Sequence, residues 1–211
     1  VIEGESVLAG RRVYWRLGSA SDAGVTPSRL ARAWVEDIVR RRRLFAWRGI
    51  ERVDTGTKPR FAGDPDADFS VSHSGAAVLV AVAEGARVGA DIERAPFTAF
   101  DSRALRRRMC TPEELRGASN LPPDERQLFL ASLWTAKEAV VKASGEGLAR
   151  DFRSLGTAVP SAPNGCSAMG HLAVIDGGDA VVTGLALVGG AVIRTDIHTE
   201  RVLRSHAHLT V

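Results

Sequence analysis

Three carboxylates and two lysines in this 211-residue chain are spaced so that they could act together. Asp91 and Glu93 lie in Val88-Gly-Ala-Asp-Ile-Glu93, and Lys137 and Glu138 lie in Trp134-Thr-Ala-Lys-Glu-Ala139, with Lys142 just beyond. Carboxylate oxygens are the ligands a hard cation prefers, and lysines beside them suit a phosphate. Two like charges at about 4 Å repel by about 4 kcal/mol at an effective dielectric near 20. Three carboxylates brought together therefore need a divalent cation or raised pKa values. Magnesium is the expected ion, since it keeps waters and shares its shell with substrate phosphates. The cluster predicts a phosphate ligand along with a metal.

The elements that must position these groups can be read from periodicity. Arg87–Glu93 reads as a strand, with Val88, Ala90 and Ile92 on one side and Arg87, Gly89, Asp91 and Glu93 on the other. Two carboxylates on one side of a strand stand about 7 Å apart along the backbone. A lone Asp-x-Glu is ordinarily a solvated sheet face, so this strand needs its partner segment. Pro122-Pro-Asp124 opens a long helix that closes at Gly145, with Phe129, Leu130, Leu133, Val140 and Val141 as its apolar stripe. Lys137 falls within that stripe, roughly 40° from Leu133 on the helical wheel. A lysine there must snorkel, pair or bind an anion. Glu138 and Lys142 lie at the margin of the stripe, where a plain i,i+4 pair would be worth about 0.2–0.5 kcal/mol.

Elsewhere, Thr26-Pro27 starts a helix carrying Leu30, Trp34, Ile38 and Val39. Residues 46–69 read as short extended pieces and turns. Phe69–Ser72 and Ala76–Val82 read as strands joined by a turn at Glu84–Arg87 to the carboxylate strand. Helical pieces fill 98–118, broken at Thr111-Pro112, where Glu114 completes a capping signal. Leu172–Ile175, Ala180–Val188 and Ala191–Ile197 read as strands. The order is helix, strands, helices, strands, which predicts an α+β fold.

Composition sets outer bounds. With 45% hydrophobic residues the chain can bury a substantial core as one domain or two small lobes. No run of about 18 apolar residues would span a membrane. The polar opening Val1–Ser6 does not read as a secretory leader, and the missing Met suggests a trimmed start. Cys110 and Cys166 have no metal-ligand or CxxC spacing, which fits a reducing cytoplasm. The net charge is only +3, but arginines bunch at 40–43 and 106–108, favouring an anionic partner. Phe69-Ser-Val-Ser-His-Ser-Gly75 is no GxSxG elbow, which argues against a serine hydrolase. His73 and Lys58 could each contact a phosphate or be ordinary surface residues.

Taken in order, Thr57-Lys-Pro59, Phe69–Gly75, Val88–Glu93 and Leu133–Lys142, continuing into Gly145-Glu-Gly-Leu148, resemble the 4′-phosphopantetheinyl transferases of the Sfp type, in the subgroup with Trp and Lys-Glu-Ala. The resemblance covers about the central half of the chain. It implies two similar lobes related by a pseudo-twofold axis, residues 1–93 and 94–211, with coenzyme A in the cleft between them. It implies transfer of the phosphopantetheine arm to a serine of an apo acyl or peptidyl carrier protein, releasing 3′,5′-ADP. On the matching positions, Asp91, Glu93 and Glu138 would hold Mg²⁺ (or Mn²⁺) on the pyrophosphate, and Lys142 would contact the phosphates, supported by Lys137. Lys58 and His73 would take the nucleotide end, its 3′-phosphate, with Ser72 nearby and Arg29 or Arg32 adding to the pocket. Glu138 or a metal-bound water would take the serine proton. A monomer without nucleic-acid or membrane partners is expected.

A further expectation concerns docking. Arg103, Arg106, Arg107 and Arg108 would face the acidic carrier, with Leu105 or Met109 as an apolar anchor. Two other readings compete: a metal-dependent nucleic-acid enzyme and a basic non-catalytic protein-binding module. The first lacks a recognisable motif and has only 6% aromatic residues for stacking.

Overall fold

The helix start at Thr26 forms as expected: its side chain accepts from the Arg29 amide, and Pro27 takes the first turn of α2 (Pro27–Arg42). This is a computed structural model, and it describes residues 1–8, 10–52, 58–63, 66–147, 150–155, 166–174 and 180–188. The chain opens with an antiparallel hairpin, β1 (Ile2–Leu8) and β2 (Arg11–Ser19), followed by the single turn α1 (Ala20–Ala23). The sequence reading had no element here. β1 is an edge strand with mostly exposed residues, and β2 is buried on both faces, so neither alternates cleanly.

After α2 come the short pair β3 (Ile50–Glu51) and β4 (Arg60–Phe61), then β5 (Ala67–Ser74), β6 (Ala77–Glu84) and β7 (Arg87–Arg94). A 3₁₀ turn at Thr98–Asp101 leads into α3 (Arg103–Met109), α4 (Pro112–Ser119) and the long α5 (Pro123–Ser144). A second 3₁₀ turn at Phe152–Ser154 precedes β8 (Cys166–Val174) and β9 (Ala180–Val188). Of the strand read at Leu172–Ile175, residues 172–174 are the end of a longer one, while Ile175 and the strand read at Ala191–Ile197 lie outside the described residues. Helices and strands are segregated rather than alternating, an α+β arrangement.

The sheets run β1-β2-β6-β5 and β7-β9-β8, all antiparallel. Period two sorts β6 cleanly. Val78, Val80 and Val82 face α2, packing with Leu30, Trp34, Val35 and Ile38, while Leu79, Ala81 and Ala83 join Val88, Ala90 and Ile92 of β7 in a second core. A third core lies under α5, where Leu130, Leu133 and Val141 meet Phe100, Met109 and Phe152. The layers are therefore α2, the first sheet, the second sheet and α5. β7 lies between the first sheet and α5, so its two faces serve different neighbours.

Candidate active site

Gly89 explains how β7 and α5 approach closely enough to share a site. A Cβ built on it would stand 1.7 Å from the Ala139 carbonyl oxygen and 2.7 Å from the Ala143 nitrogen. Only a residue without a side chain lets the helix backbone lie on the strand there. The helix answers with small residues, Ala139 and Ala143, both fully buried. Two residues along the same face of the strand, Asp91 then projects toward the helical turn that carries Lys142. The side assignment made from period two holds, with Val88, Ala90 and Ile92 buried on the opposite face.

Asp91 and Lys142 meet at 2.6 Å, although 51 positions separate them. Ser72 of β5 donates to the same Asp91 oxygen at 2.8 Å and accepts from Lys142 at 3.0 Å. The lysine thus chooses Asp91, not the i,i+4 partner Glu138. One pair further on, Ser74 donates to Glu93 at 3.1 Å. Both serines belong to a polar row, Asp68, Ser70, Ser72 and Ser74, which alternates with the apolar Phe69 and Val71. Period two applied to this strand would have found Asp68 and Ser74, which the sequence reading passed over.

The electrostatics follow from burial and crowding. Burial pushes the Asp91 carboxyl above the usual carboxylate range, opposed by Lys142 and Ser72. Glu93 is raised by burial and by the charge of Asp91, against hydrogen bonds from Ser74 and Trp134. Glu138 is raised by burial, then by Asp91, with Lys142 opposing and Glu93 adding to the rise. Glu93 senses the charge of Asp91, and Glu138 that of both, so the cluster resists full ionisation.

A divalent cation suits this donor set. The second oxygen of Asp91 is buried without a hydrogen-bond partner, and hard oxygen ligands with raised pKa values are what such an ion would neutralise. Among the described residues no three His, Cys, Asp or Glu side chains are drawn around one point at metal distance. The Lys142 ammonium supplies positive charge to the other oxygen of Asp91.

Beside these groups opens a cavity of about 680 Å³, lined by Glu138, Lys142, Lys58, His73, Arg32 and Arg52 over an apolar floor that includes Val35 and Phe69. Ser28, Ala31, Arg32 and Val35 recur on the wall at helical spacing. Arg29, expected beside Arg32, is exposed and sits one helical position off that face, so it is not part of the wall. Arg52 is a wall cation the sequence reading did not assign. Gly145 also lines the cavity, ending α5 in the left-handed conformation at φ 78°.

Two expected phosphate ligands are engaged elsewhere. Lys137 is 1% exposed and donates at 2.6 Å to Glu114 and at 2.6 Å to the Met109 carbonyl. A contact between Lys137 and the phosphates is therefore corrected: the lysine of the apolar stripe satisfies its charge by pairing inside the third core. Lys58 donates to Asp68 at 2.5 Å and to the Val88 carbonyl at 2.6 Å, while Asp68 also accepts from the Val88 amide at 2.8 Å. Lys58 still borders the cavity, and burial lowers its pKa against the pull of Asp68. Met109 is fully buried, so it is core and no docking anchor; Leu105 is half-buried.

Residues 87–171 match the 4′-phosphopantetheinyl transferase superfamily. Over part of its length the chain is similar to Sfp-type 4′-phosphopantetheinyl transferases. It is 35% identical over 82 residues to the 4′-phosphopantetheinyl transferase HetI of Nostoc sp., covering 39% of this chain and 34% of that protein. It is 33% identical over 91 residues to the 4′-phosphopantetheinyl transferase Sfp of Bacillus subtilis, covering 43% of this chain and 39% of that protein. A match to psf-1 of Bacillus pumilus is 33% identical over 105 residues, 50% of this chain and 43% of that protein. The chain thus spans 34–43% of the length of these curated relatives. The superfamily match takes in β7, α5 and all three carboxylates; Lys58, Ser72 and His73 lie before it.

Proposed function

We propose that this protein transfers the 4′-phosphopantetheine arm of coenzyme A to a serine hydroxyl of an apo acyl or peptidyl carrier protein, with a divalent ion, releasing 3′,5′-ADP. The observation that carries this reading is the 2.6 Å contact of Asp91 with Lys142 beside a cavity walled by Arg32, Arg52, Lys58 and His73. Coenzyme A bears a pyrophosphate and a 3′-phosphate, and a basic cavity with acidic groups at one side balances both. Lobes of residues 1–93 and 94–211 would meet along β7, which ladders with β9 and whose Asp91 and Glu93 accept from Ser72 and Ser74 of β5. The coenzyme A cleft is this cavity.

Asp91, Glu93 and Glu138 would hold the ion, Mg²⁺ by preference. When bound, it would polarise the pyrophosphate oxygens and lower the repulsion among the three carboxylates. Lys142, at the cavity wall, would contact the phosphates, its ammonium stabilising charge on the oxygens of the transferring group. Arg32 and His73 hold the nucleotide end. The carrier serine Oγ attacks the β-phosphorus of coenzyme A, the bond from that phosphorus to the bridging oxygen breaks, and 3′,5′-ADP leaves with the electron pair. Glu138, which lines the cavity beside Lys142, takes the serine proton.

Among the described residues no helix is long and apolar enough to cross a membrane. The exposed Arg103, Arg107 and Arg108 of α3 suit the acidic surface of a carrier protein. The test is incubation with coenzyme A, Mg²⁺ and an apo carrier protein, read by intact mass. A gain of one phosphopantetheine is expected, and none with Glu138→Ala; an unmodified carrier would reject the reading.

A further inference from the structure

We infer that the buried Lys137–Glu114 pair is the pivot that sets the arginine helix α3 against the active-site helix, making Lys137 a positioning residue for the protein substrate. This rests on the transferase reading. Lys137 and Glu114 side chains are 1% and 4% exposed, and neither borders the cavity. The pair joins three elements at one ammonium. Met109 is the last residue of α3, and its carbonyl, lacking an onward helical partner, accepts from Lys137 at 2.6 Å. Glu114 stands at the third position of α4, where it accepts from the Thr111 amide at 2.8 Å to complete the capping box. The same Glu114 oxygen accepts from Lys137 at 2.6 Å. The end of α3 and the start of α4 are thus both fixed to α5, one residue before Glu138.

Stability alone does not account for an ion pair here. Replacing a buried pair by apolar groups of similar size is often neutral or stabilising, because burial removes both charges from water. What two directed hydrogen bonds add over apolar packing is a defined position. The face thereby positioned carries Arg103, Arg107 and Arg108, all exposed, while Arg106 donates to the Asp101 carbonyl at 3.4 Å. Arg108 is near enough to Glu138 for its charge to be felt there. A shift of α3 would therefore move the acidic partner relative to the base and the cavity, yet leave Arg32, Lys58 and His73 where they are.

The experiment compares the wild type with Lys137→Met combined with Glu114→Gln. Glutamine keeps the capping box, and the pair of changes removes both buried charges rather than stranding one. Thermal unfolding, KM for coenzyme A and KM for an apo carrier protein are measured on each. The expected result is a retained fold, a coenzyme A KM within about two-fold, and a carrier KM raised about three- to thirty-fold. An unchanged carrier KM, both KM values rising together, or a loss of fold would make the pair merely structural and overturn the inference. A wild type that leaves the carrier unmodified would instead overturn the transferase reading itself.

Discussion

Replacing Gly89 by alanine tests how the site is assembled. The added Cβ would lie 1.7 Å from the Ala139 carbonyl oxygen, with the Ala139 carbonyl carbon and Ala143 nitrogen each at 2.7 Å. A carbon atom approaches a carbonyl oxygen no closer than about 3.3 Å, so strand and helix must separate locally by about 1.5 Å. All three clashing atoms are backbone, and no rotamer change can relieve them. Overpacking of this kind costs about 1–3 kcal/mol, occasionally more. For a chain of this size that lowers Tm by roughly 2–12 °C, at about 2–4 °C per kcal/mol. The functional effect should be larger, because Lys142 and Glu138 ride on the displaced helix and an error of about 1 Å can cost about 10²-fold. The assay is the rate of carrier modification, followed by intact mass on samples shown by thermal unfolding to be folded. Trimming Ala139 to glycine should not rescue it, since the clash is with main chain. A Gly89→Ala protein that keeps its rate within two-fold and its Tm within a degree would refute the close approach.

Removing the ammonium of Lys142 by Lys142→Met leaves the Asp91 charge buried without its partner. Because Lys142 is 30% exposed, the expected loss is about 1–3 kcal/mol rather than that of a fully buried pair. Added Mg²⁺ should raise the Tm of this variant more than that of the wild type; an equal shift would argue against Asp91 as a cation ligand. Cys110 is buried and its thiol is pushed up to about 11 by burial and by Glu114, so in the native protein at pH 8 it should resist alkylation until unfolding. Rapid native labelling at Cys110 would contradict this. Burial pushes the Asp37 carboxyl up, but hydrogen bonds and charge from Arg16 and Arg41 more than offset it, leaving its pKa below 3.8. A lowered carboxylate contributes stability above its unfolded pKa and loses it as pH falls through the folded value. Asp37→Asn should therefore flatten the stability profile below about pH 4 in acid titrations, whereas an unchanged profile would remove Asp37 from the account.

The parts of the fold legible in the sequence are those where one period dominates. The β7 sequence alternates, α5 runs from its opening prolines to Gly145, and the caps at Thr26 and Thr111 appear as the residue types foretold. What was not legible depended on tertiary partners. β1 and β2 are an edge strand and a strand buried on both faces, and β8 starts in a Cys-Ser-Ala-Met-Gly run with little β-propensity. The site divides along the same line. Asp91 and Lys142 could be named from residue type, but their shared partner Ser72 required the packing of β5 on β7. Lys137 was noticed because a charge in an apolar stripe demands a partner, and Glu114 was noticed as a cap; nothing in the sequence joined the two. Lys58 was singled out for its motif, while Asp68, which holds it, was hidden as one polar residue in a short alternating strand.

For the proposed transfer, β7 and α5 must present their carboxylates to one ion that shares a diphosphate. Anomalous diffraction from crystals grown with Mn²⁺ and coenzyme A measures this directly. The expected result is a single peak bordered by Asp91, Glu93, Glu138 and the pyrophosphate, with Lys142 withdrawn from Asp91. A peak away from these carboxylates, or coenzyme A bound with its pyrophosphate remote from Asp91 and Glu138, would contradict it.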